Sequence, residues 1–280
     1  MTETSKLKVN IKVEFESYSD TKTSIICDTN VWYGFNQGNP TEIEENFTLT
    51  PTLLTLAELG TSKVIAHDLS LFQSTIKAIY NNGGAIIATD PIAYTLSQQD
   101  INYPINLNGT KKLLEIFSKV MSLKIDEIIE IDDDLKKSLL KSFQHDRNDT
   151  VAFANFGNSK LENIRRNINT QTGKKKHIQI DSLEIIKDMV KSIFNDYLKD
   201  KNYTINWNIF NWDRIEFFLK ITETFFKKLE TTKGMKIKPN DGIDWFNTLY
   251  VGPEDKYLTL DGPWRKYIEN DERINRYLYK

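Results

Sequence analysis

Short hydrophobic runs alternate with longer amphipathic stretches in the first hundred residues of the chain. The runs at 25–27, 47–50 and 85–88 have the length and apolar character of buried strands. Between the second and third runs, apolar residues recur at helical spacing over 52–59 and again over 64–79. This strand–helix–strand order is typical of a parallel α/β sheet.

Residues 110–230 have a different pattern, with no strand and several amphipathic helices. One helix is predicted to begin near Asp181 or Ser182. Another is predicted to begin at Asp213, with Glu216 in the position of a capping box. Aromatic residues repeat along these helices, and we interpret them as core or as a helix–helix contact.

The α/β pattern returns near the C-terminus. A helix is predicted to begin at Asn240–Asp241, and a strand over 256–260 stops at Asp261. At the other end of the chain, residues 7–15 alternate between apolar and polar, which predicts an edge strand. The predicted organisation is an α/β core formed by residues 1–105 and 238–280. A large helical insertion, residues 106–237, separates its two parts.

The composition excludes some classes of protein but does not identify a function. The chain has 280 residues, of which 39% are hydrophobic and 27% charged, so it is globular. A net charge of −2 gives no general attraction to nucleic acid or membrane, so a polyanion site would be a local basic patch. The basic stretch 160–177 is the candidate for phosphate contacts, with a solvated surface as its alternative; it contains Arg165, Arg166, Lys174, Lys175 and Lys176.

Cysteine use and hydropathy predict a cytoplasmic protein. The single cysteine, Cys27, excludes an intramolecular disulfide and lies in an apolar run, where a packing role is expected. The sequence has no signal-peptide core and no apolar run near 18 residues, so we expect no membrane contact. The three histidines, His67, His145 and His177, do not have the spacing of metal ligands.

Carboxylates stand where the predicted strands end. Asp28, Asp90 and Asp261 each follow a strand, and helical acids can face the same edge, namely Glu58, Asp241 and Asp244. Clustered carboxylates raise one another's pKa, so a fold normally avoids them unless a cation is present. Their hard oxygens suit Mg²⁺ or Mn²⁺, which would activate water against a phosphoryl group. We interpret Asp90 as a turn residue before Pro91, outside this group.

Four of these motifs, taken in order, resemble the four-acid pattern of PIN-domain nucleases. They are Asp28-Thr29-Asn30 after a strand, Glu58 in Leu-Ala-Glu-Leu, the helix opening Asn240-Asp241, and Thr259-Leu260-Asp261. The resemblance implies a Rossmann-like α/β/α sandwich with a parallel central sheet, whose acids bind Mg²⁺ or Mn²⁺ and cleave RNA, mostly single-stranded. Many bacterial members are toxins of toxin–antitoxin or phage-defence systems, so an antitoxin or immunity protein is an expected partner.

Carried onto this chain, the resemblance assigns a role to each residue. Asp28, Glu58 and Asp261 become metal ligands, and Asn30 orients Asp28 or holds the phosphate. The third acid is Asp241, Asp244 or both. The chain departs from the family in its helical insertion and in the additional residues 1–20. These residues would form either an added edge strand or a contact between the two copies of a homodimer.

Two alternatives to a nuclease remain open at this point. A haloacid-dehalogenase phosphatase also begins with an acid after an apolar strand, but it requires a second Asp where this chain has Asn30. A catalytically inactive PIN-like module could instead bind RNA or a protein partner through the insertion, with the acids kept as helix caps.

Overall fold

The computed structural model describes most of the predicted core and part of the predicted insertion. The described residues are 22–38, 42–61, 68–107, 110, 111, 114, 115, 117, 118, 151, 154, 155, 158, 159, 182–232 and 234–280. The predicted edge strand at 7–15 lies outside them. So do all three histidines and the basic residues Arg165, Arg166, Lys174, Lys175 and Lys176.

A parallel sheet of three strands lies at the centre of the molecule. Strand β1 (Thr23–Cys27) pairs with β2 (Phe47–Thr50) on one side and with β3 (Lys256–Leu258) on the other. The predicted α/β class with a parallel sheet is therefore confirmed. The third strand ends at Leu258, two residues earlier than predicted, because the chain there turns toward the next helix.

Single bridges extend the sheet at both edges. Gly83 and Ile87 pair in parallel with Leu49 and Thr52, and Leu278 pairs in parallel with Tyr257. The continuous strand predicted over 85–88 is wrong. Its neighbour in the sheet reaches Pro51 at this point, and because proline has no N–H group it cannot continue a regular ladder.

The order of the segments across the sheet determines where a ligand would bind. From one edge of the sheet to the other, the segments are the bridged residues 83–87, then β2, β1 and β3, and finally Leu278. Numbered by their position along the chain, they stand in the order 3-2-1-4-5. This is the order of a doubly wound sheet, which binds ligands beyond the carboxyl ends of the strands where the order reverses. In this chain the reversal lies between β1 and β3.

Helices cover both faces of the sheet. Ile25 and Cys27 of β1 pack against one set, and Ile26 between them packs against the other, as the alternation of a strand requires. The first set is α1 (Thr29–Asn36), α2 (Leu53–Thr61) and α3 (Leu69–Asn82). The second set is α4 (Pro91–Gln99), α5 (Ser182–Leu198), α6 (Glu216–Thr231), α7 (Asp241–Asn247) and α8 (Gly262–Glu269).

The described part of the predicted insertion packs on the core. Phe217 of α6 lies against Tyr257 of β3, with ring centroids 5.7 Å apart. The aromatic residues of this region belong to the same hydrophobic cluster as the sheet, which confirms their interpretation as core. The domain boundaries themselves stay a prediction.

One predicted helix start is wrong. Residues Trp212–Ile215 form a 3₁₀ turn capped by the Asn211 side chain, and α6 begins at Glu216. Glu216 therefore does not complete a capping box with Asp213; its carboxylate binds Lys220 and Arg276 instead. In the part of the chain that the structure describes, no helix is both long and apolar enough to cross a bilayer.

Candidate active site

The candidate site lies at the carboxyl end of the sheet, where β1 and β3 finish side by side. Asp28 follows β1 directly, and its backbone N–H donates to the carbonyl of Leu258, the last residue of β3, at 3.0 Å. The two parallel strands therefore deliver Asp28 and Asp261 to the same edge. This edge is the reversal point of the sheet.

Asp28 is buried, with 3% of its surface exposed, and hydrogen bonds fix its carboxylate. It accepts from the Thr29 backbone N–H at 2.7 Å, from Asn30 Nδ2 at 2.8 Å and from Thr259 Oγ1 at 2.8 Å. Burial raises the pKa of Asp28, these donors lower it, and the charge of Asp261 raises it further. Asp28 is thus both the N-cap of α1 and a rigidly held site carboxylate.

Asn30 joins the ends of β1 and β3. Its amide nitrogen donates to Asp28, and its Oδ1 accepts from the Leu260 backbone N–H at 2.9 Å. The side chain thereby orients Asp28, one of the two roles expected from the sequence. Because an amide has no titratable proton, Asn30 cannot supply the general acid that a haloacid-dehalogenase phosphatase requires at this position.

Glu58 approaches Asp28 from helix α2. Its Oε2 accepts from Thr29 Oγ1 at 2.5 Å, and α2 is tied to β1 because Thr55 Oγ1 donates to the Cys27 carbonyl at 3.0 Å. Burial raises the pKa of Glu58 to about 7; the hydrogen bond from Thr29 acts against this, and the charge of Asp28 adds to it. The Glu58 carboxyl is therefore partly protonated at neutral pH.

The two acids of helix α7 have different surroundings. Asp241 opens the helix and accepts from the Lys238 backbone N–H at 2.7 Å. Its pKa is raised by burial, lowered by the contacts with Lys238, and raised by Asp261. Asp244, one turn further on, makes no hydrogen bond through its carboxyl to any residue that the structure describes.

Asp244 interacts with all the other candidate acids. Burial is the first cause that raises its pKa, to about 9, and the four carboxylate charges that add to this are those of Asp28, Glu58, Asp261 and Asp241. The sequence left open which acid of α7 belongs to the site. Of the two acids of α7, Asp244 is the one whose carboxyl is influenced by all four other acids, whereas Asp241 contacts Lys238.

Asp261 caps helix α8 and accepts from the Trp264 backbone N–H at 2.9 Å. It is linked to Asp28 through Thr259, whose Oγ1 donates to Asp28 and accepts from the Asp261 N–H at 3.0 Å. Thr259 is fully buried. Its role was missed in the sequence, although a threonine two residues before a strand-end acid is a usable signal.

Tyr257 was also missed. Its hydroxyl is fully buried, and no described residue lies in hydrogen-bonding geometry with it. Burial raises its pKa well above the ordinary value; the charges of Asp28, Asp244 and Glu58 act in the same direction, and the Asn247 side chain acts against them. The buried Tyr257 hydroxyl thus lies within the sheet, near the Asn247 side chain and under the electrostatic influence of the carboxylates.

Asp90, the third strand-end acid, is not part of this group. It caps α4, accepting from the Ala93 N–H at 2.9 Å, and its other oxygen accepts from Tyr197 Oη at 2.6 Å. It was interpreted as a turn residue before Pro91, and the structure makes it the N-cap of the helix that begins there. Cys27 is also confirmed as a packing residue, because it is fully buried.

The donor chemistry of the group suits a hard cation, but the ligand shell is not closed. In the described ranges, no three or more His, Cys, Asp or Glu side chains are arranged closely enough to surround a metal ion by themselves. Mg²⁺ typically keeps several waters and uses one or two protein carboxylates. Partial protonation of Glu58 and Asp244 also lets them stand near other carboxylates without a cation.

Comparison with known proteins leaves the site to be interpreted from its own chemistry. The chain matches no protein-family model, no curated protein and no solved structure.

Proposed function

We propose that the chain is a Mg²⁺- or Mn²⁺-dependent endoribonuclease with a PIN-like α/β/α core, hydrolysing phosphodiester bonds of single-stranded RNA. The observation that carries this proposal is the environment of Asp244. One largely buried carboxyl interacts with four other acids at the reversal point of a parallel sheet. Such a group is costly in a protein that does not bind a cation, and hard oxygen ligands select Mg²⁺ or Mn²⁺.

In the proposed site, Asp28 and Asp244 are the inner carboxylates, and Glu58, Asp241 and Asp261 surround them. When bound, the cation supplies a polarised phosphoryl oxygen and a water of lowered pKa. The residues of the chain hold this arrangement rigid. Asn30 and Thr259 fix the orientation of Asp28 from two sides.

Proton balance follows from the same residues. Without a cation, Glu58 and Asp244 are at least partly protonated at neutral pH. Ligands must be deprotonated to bind a metal, so cation binding at this site releases protons and becomes stronger as pH rises. A carboxyl that titrates near pH 7, as Glu58 does, also suits proton transfer to or from a reacting group.

The biological setting remains part of the proposal. A toxin or phage-defence role would account for an RNA-cleaving site, and an antitoxin or immunity protein would then cover it. A catalytically inactive module that binds RNA or a protein is the alternative outcome of the experiment below.

The test is cleavage of an end-labelled single-stranded RNA in Mn²⁺, in Mg²⁺ and in EDTA. We expect cleavage with either cation, none in EDTA, and none with Asp28→Asn or Asp261→Asn in protein that is shown to be folded by circular dichroism. Asp90→Asn is the matched control, because Asp90 caps α4 and accepts from Tyr197 Oη outside the carboxylate group, and this variant should cleave normally. Cleavage that persists in EDTA or in both site variants would refute the proposal.

A further inference from the structure

A groove lies between the C-terminal half of α6 and helix α8, outside the carboxylate group. It encloses about 870 Å³. Helix α6 contributes Lys227 and Lys228 to one wall, and α8 contributes Lys266 and Tyr267 to the other. The two helices are held together beneath the groove by Phe225 and Trp264, whose rings stack with centroids 5.2 Å apart.

The positive charge of this groove is available to a ligand. Lys227, Lys228 and Lys266 are exposed, and none of them forms an ion pair with another residue in the described part of the chain. The fourth cation of the groove, Arg273, is already neutralised by Glu223 and Asp271. Glu272 also lines the groove, so its four cations face three carboxylates. The three lysines, which come from two facing helices, supply the contacts that are open to a phosphate.

Helix α8 connects the groove to the carboxylate group. Helix α8 begins on Asp261, its N-cap, and Lys266 lies about 8 Å further along the axis, from a rise of roughly 1.5 Å per residue. The pKa of Tyr267 is raised by burial and then by the charges of Asp241 and Asp261. Helix α8 therefore carries both a candidate site acid, as its N-cap, and two residues of the groove, Lys266 and Tyr267.

Tyr267 is suited to hold a base. Its ring is partly exposed and is fixed from behind by Phe225 and Trp264, at centroid distances of 6.1 and 5.9 Å. A rigid aromatic ring beside a row of cations is the arrangement by which proteins bind single strands, through base stacking and phosphate contacts.

We infer that the groove between α6 and α8 is the path of the RNA strand, with phosphates on Lys227, Lys228 and Lys266 and a base stacked on Tyr267. The inference rests on the proposed nuclease function. It answers an electrostatic problem of that function, since a group of acids repels a polyanion unless cations nearby hold the strand.

The first test measures binding of a fluorescent single-stranded RNA to the full chain in EDTA over a range of salt concentrations. Each phosphate contact contributes about 0.7 to the slope of log affinity against log salt for single strands, so the triple variant Lys227→Ala, Lys228→Ala, Lys266→Ala should lower the slope by about 2. Affinity at low salt should fall by roughly tenfold or more.

The matched control removes the same charge elsewhere. Lys77, Lys111 and Lys199 are exposed and line no part of the groove, so their combined replacement by alanine should leave most of the slope unchanged. A separate variant, Tyr267→Leu, should weaken binding by about fivefold or more with no change in slope, because stacking contributes at least about 1 kcal/mol per base.

The outcomes separate this inference from the nuclease proposal. If the triple variant binds RNA like the wild type, or if the wild type binds no RNA, the groove is not the path of the strand. If RNA is cleaved normally by the triple variant at sub-saturating RNA, the groove inference fails while the nuclease proposal stands. If binding depends on the three lysines but no cation supports cleavage, the groove inference stands and the nuclease proposal fails.

Discussion

Replacement of Asp244 by asparagine should stabilise the metal-free protein. The folded chain raises the pKa of Asp244 from 3.8 to about 9, so at pH 7 this carboxyl is protonated when folded and ionised when unfolded. Keeping the proton costs folding free energy at about 1.4 kcal/mol per pH unit above the unfolded pKa. Asparagine has nearly the same shape and does not titrate, so the variant avoids this cost.

The size of the effect follows from the same values. Between the ordinary pKa of 3.8 and pH 7 the cost has an upper limit of about 4 kcal/mol. The neighbouring carboxylates share the repulsion and adjust their own protonation, so we expect a gain of about 1 to 3 kcal/mol. For a chain of this size that corresponds to a rise in Tm of roughly 2 to 5 °C.

Divalent cations should reverse the order of stability, so that wild type becomes more stable than Asp244→Asn. Wild type binds the cation only when folded and gains about 2.7 kcal/mol at a cation concentration one hundred times the Kd. Asp244→Asn has lost a central carboxylate and should gain much less. The assay is thermal unfolding of both proteins at pH 7, first in EDTA and then in a titration with Mn²⁺.

A partly buried aspartate outside the group provides the control. Asp255 accepts from the Gly252 N–H at 2.8 Å and lies 3.8 Å from Arg214. Asp255→Asn should leave the response to Mn²⁺ unchanged. The reasoning is refuted if Asp244→Asn is less stable than wild type in EDTA, or if it gains as much from Mn²⁺ as wild type does.

Three further predictions follow from the same contacts. Because the folded pKa values of Glu58 and Asp244 lie above their unfolded values, metal-free stability should fall as pH rises from about 4 toward 8, and saturating Mg²⁺ should flatten that dependence in urea titrations. Thr259→Val keeps the shape of a fully buried side chain but removes the donor to Asp28 and the acceptor for Asp261, which should cost about 1 to 3 kcal/mol in urea unfolding. Asp90→Ala should cost a similar amount, because it removes a cap and the partner of a tyrosine hydroxyl, yet leave the Mn²⁺-dependent rise in Tm intact; loss of that rise would bring Asp90 into the site.

Local signals account for the elements that the sequence predicted well. Strands β1 and β2 are short apolar runs, and α2 follows Pro51 with leucines at helical spacing. In each case the pattern and the boundary residues agree. Asp28 was predictable as a site residue because it follows a buried strand and because later acids recur at strand and helix ends.

Long-range packing decided what the sequence could not. The acids Asp241 and Asp244 lie on one face of a short helix, so periodicity cannot separate them; only the docking of α7 against the sheet makes Asp244 central. The strand predicted over 85–88 does not form as a continuous strand because its neighbour in the sheet contains Pro51. This proline lies 34 residues before Ala85 in the chain. A partner's irregularity is invisible in the strand's own pattern.

The groove between α6 and α8 shows the same limit. Lys227 and Lys228 lie on one helix and Lys266 on another, and nothing in the sequence brings them together. The basic stretch containing Lys174 attracted attention because its charges are adjacent in the chain. Charges that are adjacent only in space require the fold.

The most direct test of the account is anomalous diffraction from crystals soaked in Mn²⁺ near neutral pH. The account predicts a peak at the carboxyl end of β1 and β3, within about 2.0 to 2.3 Å of carboxylate oxygens from Asp28 and Asp244. The peak should be absent in crystals of Asp28→Asn. Well-occupied Mn²⁺ peaks elsewhere on the protein, with none between these two side chains, would contradict the claim that the carboxylate group is a metal site.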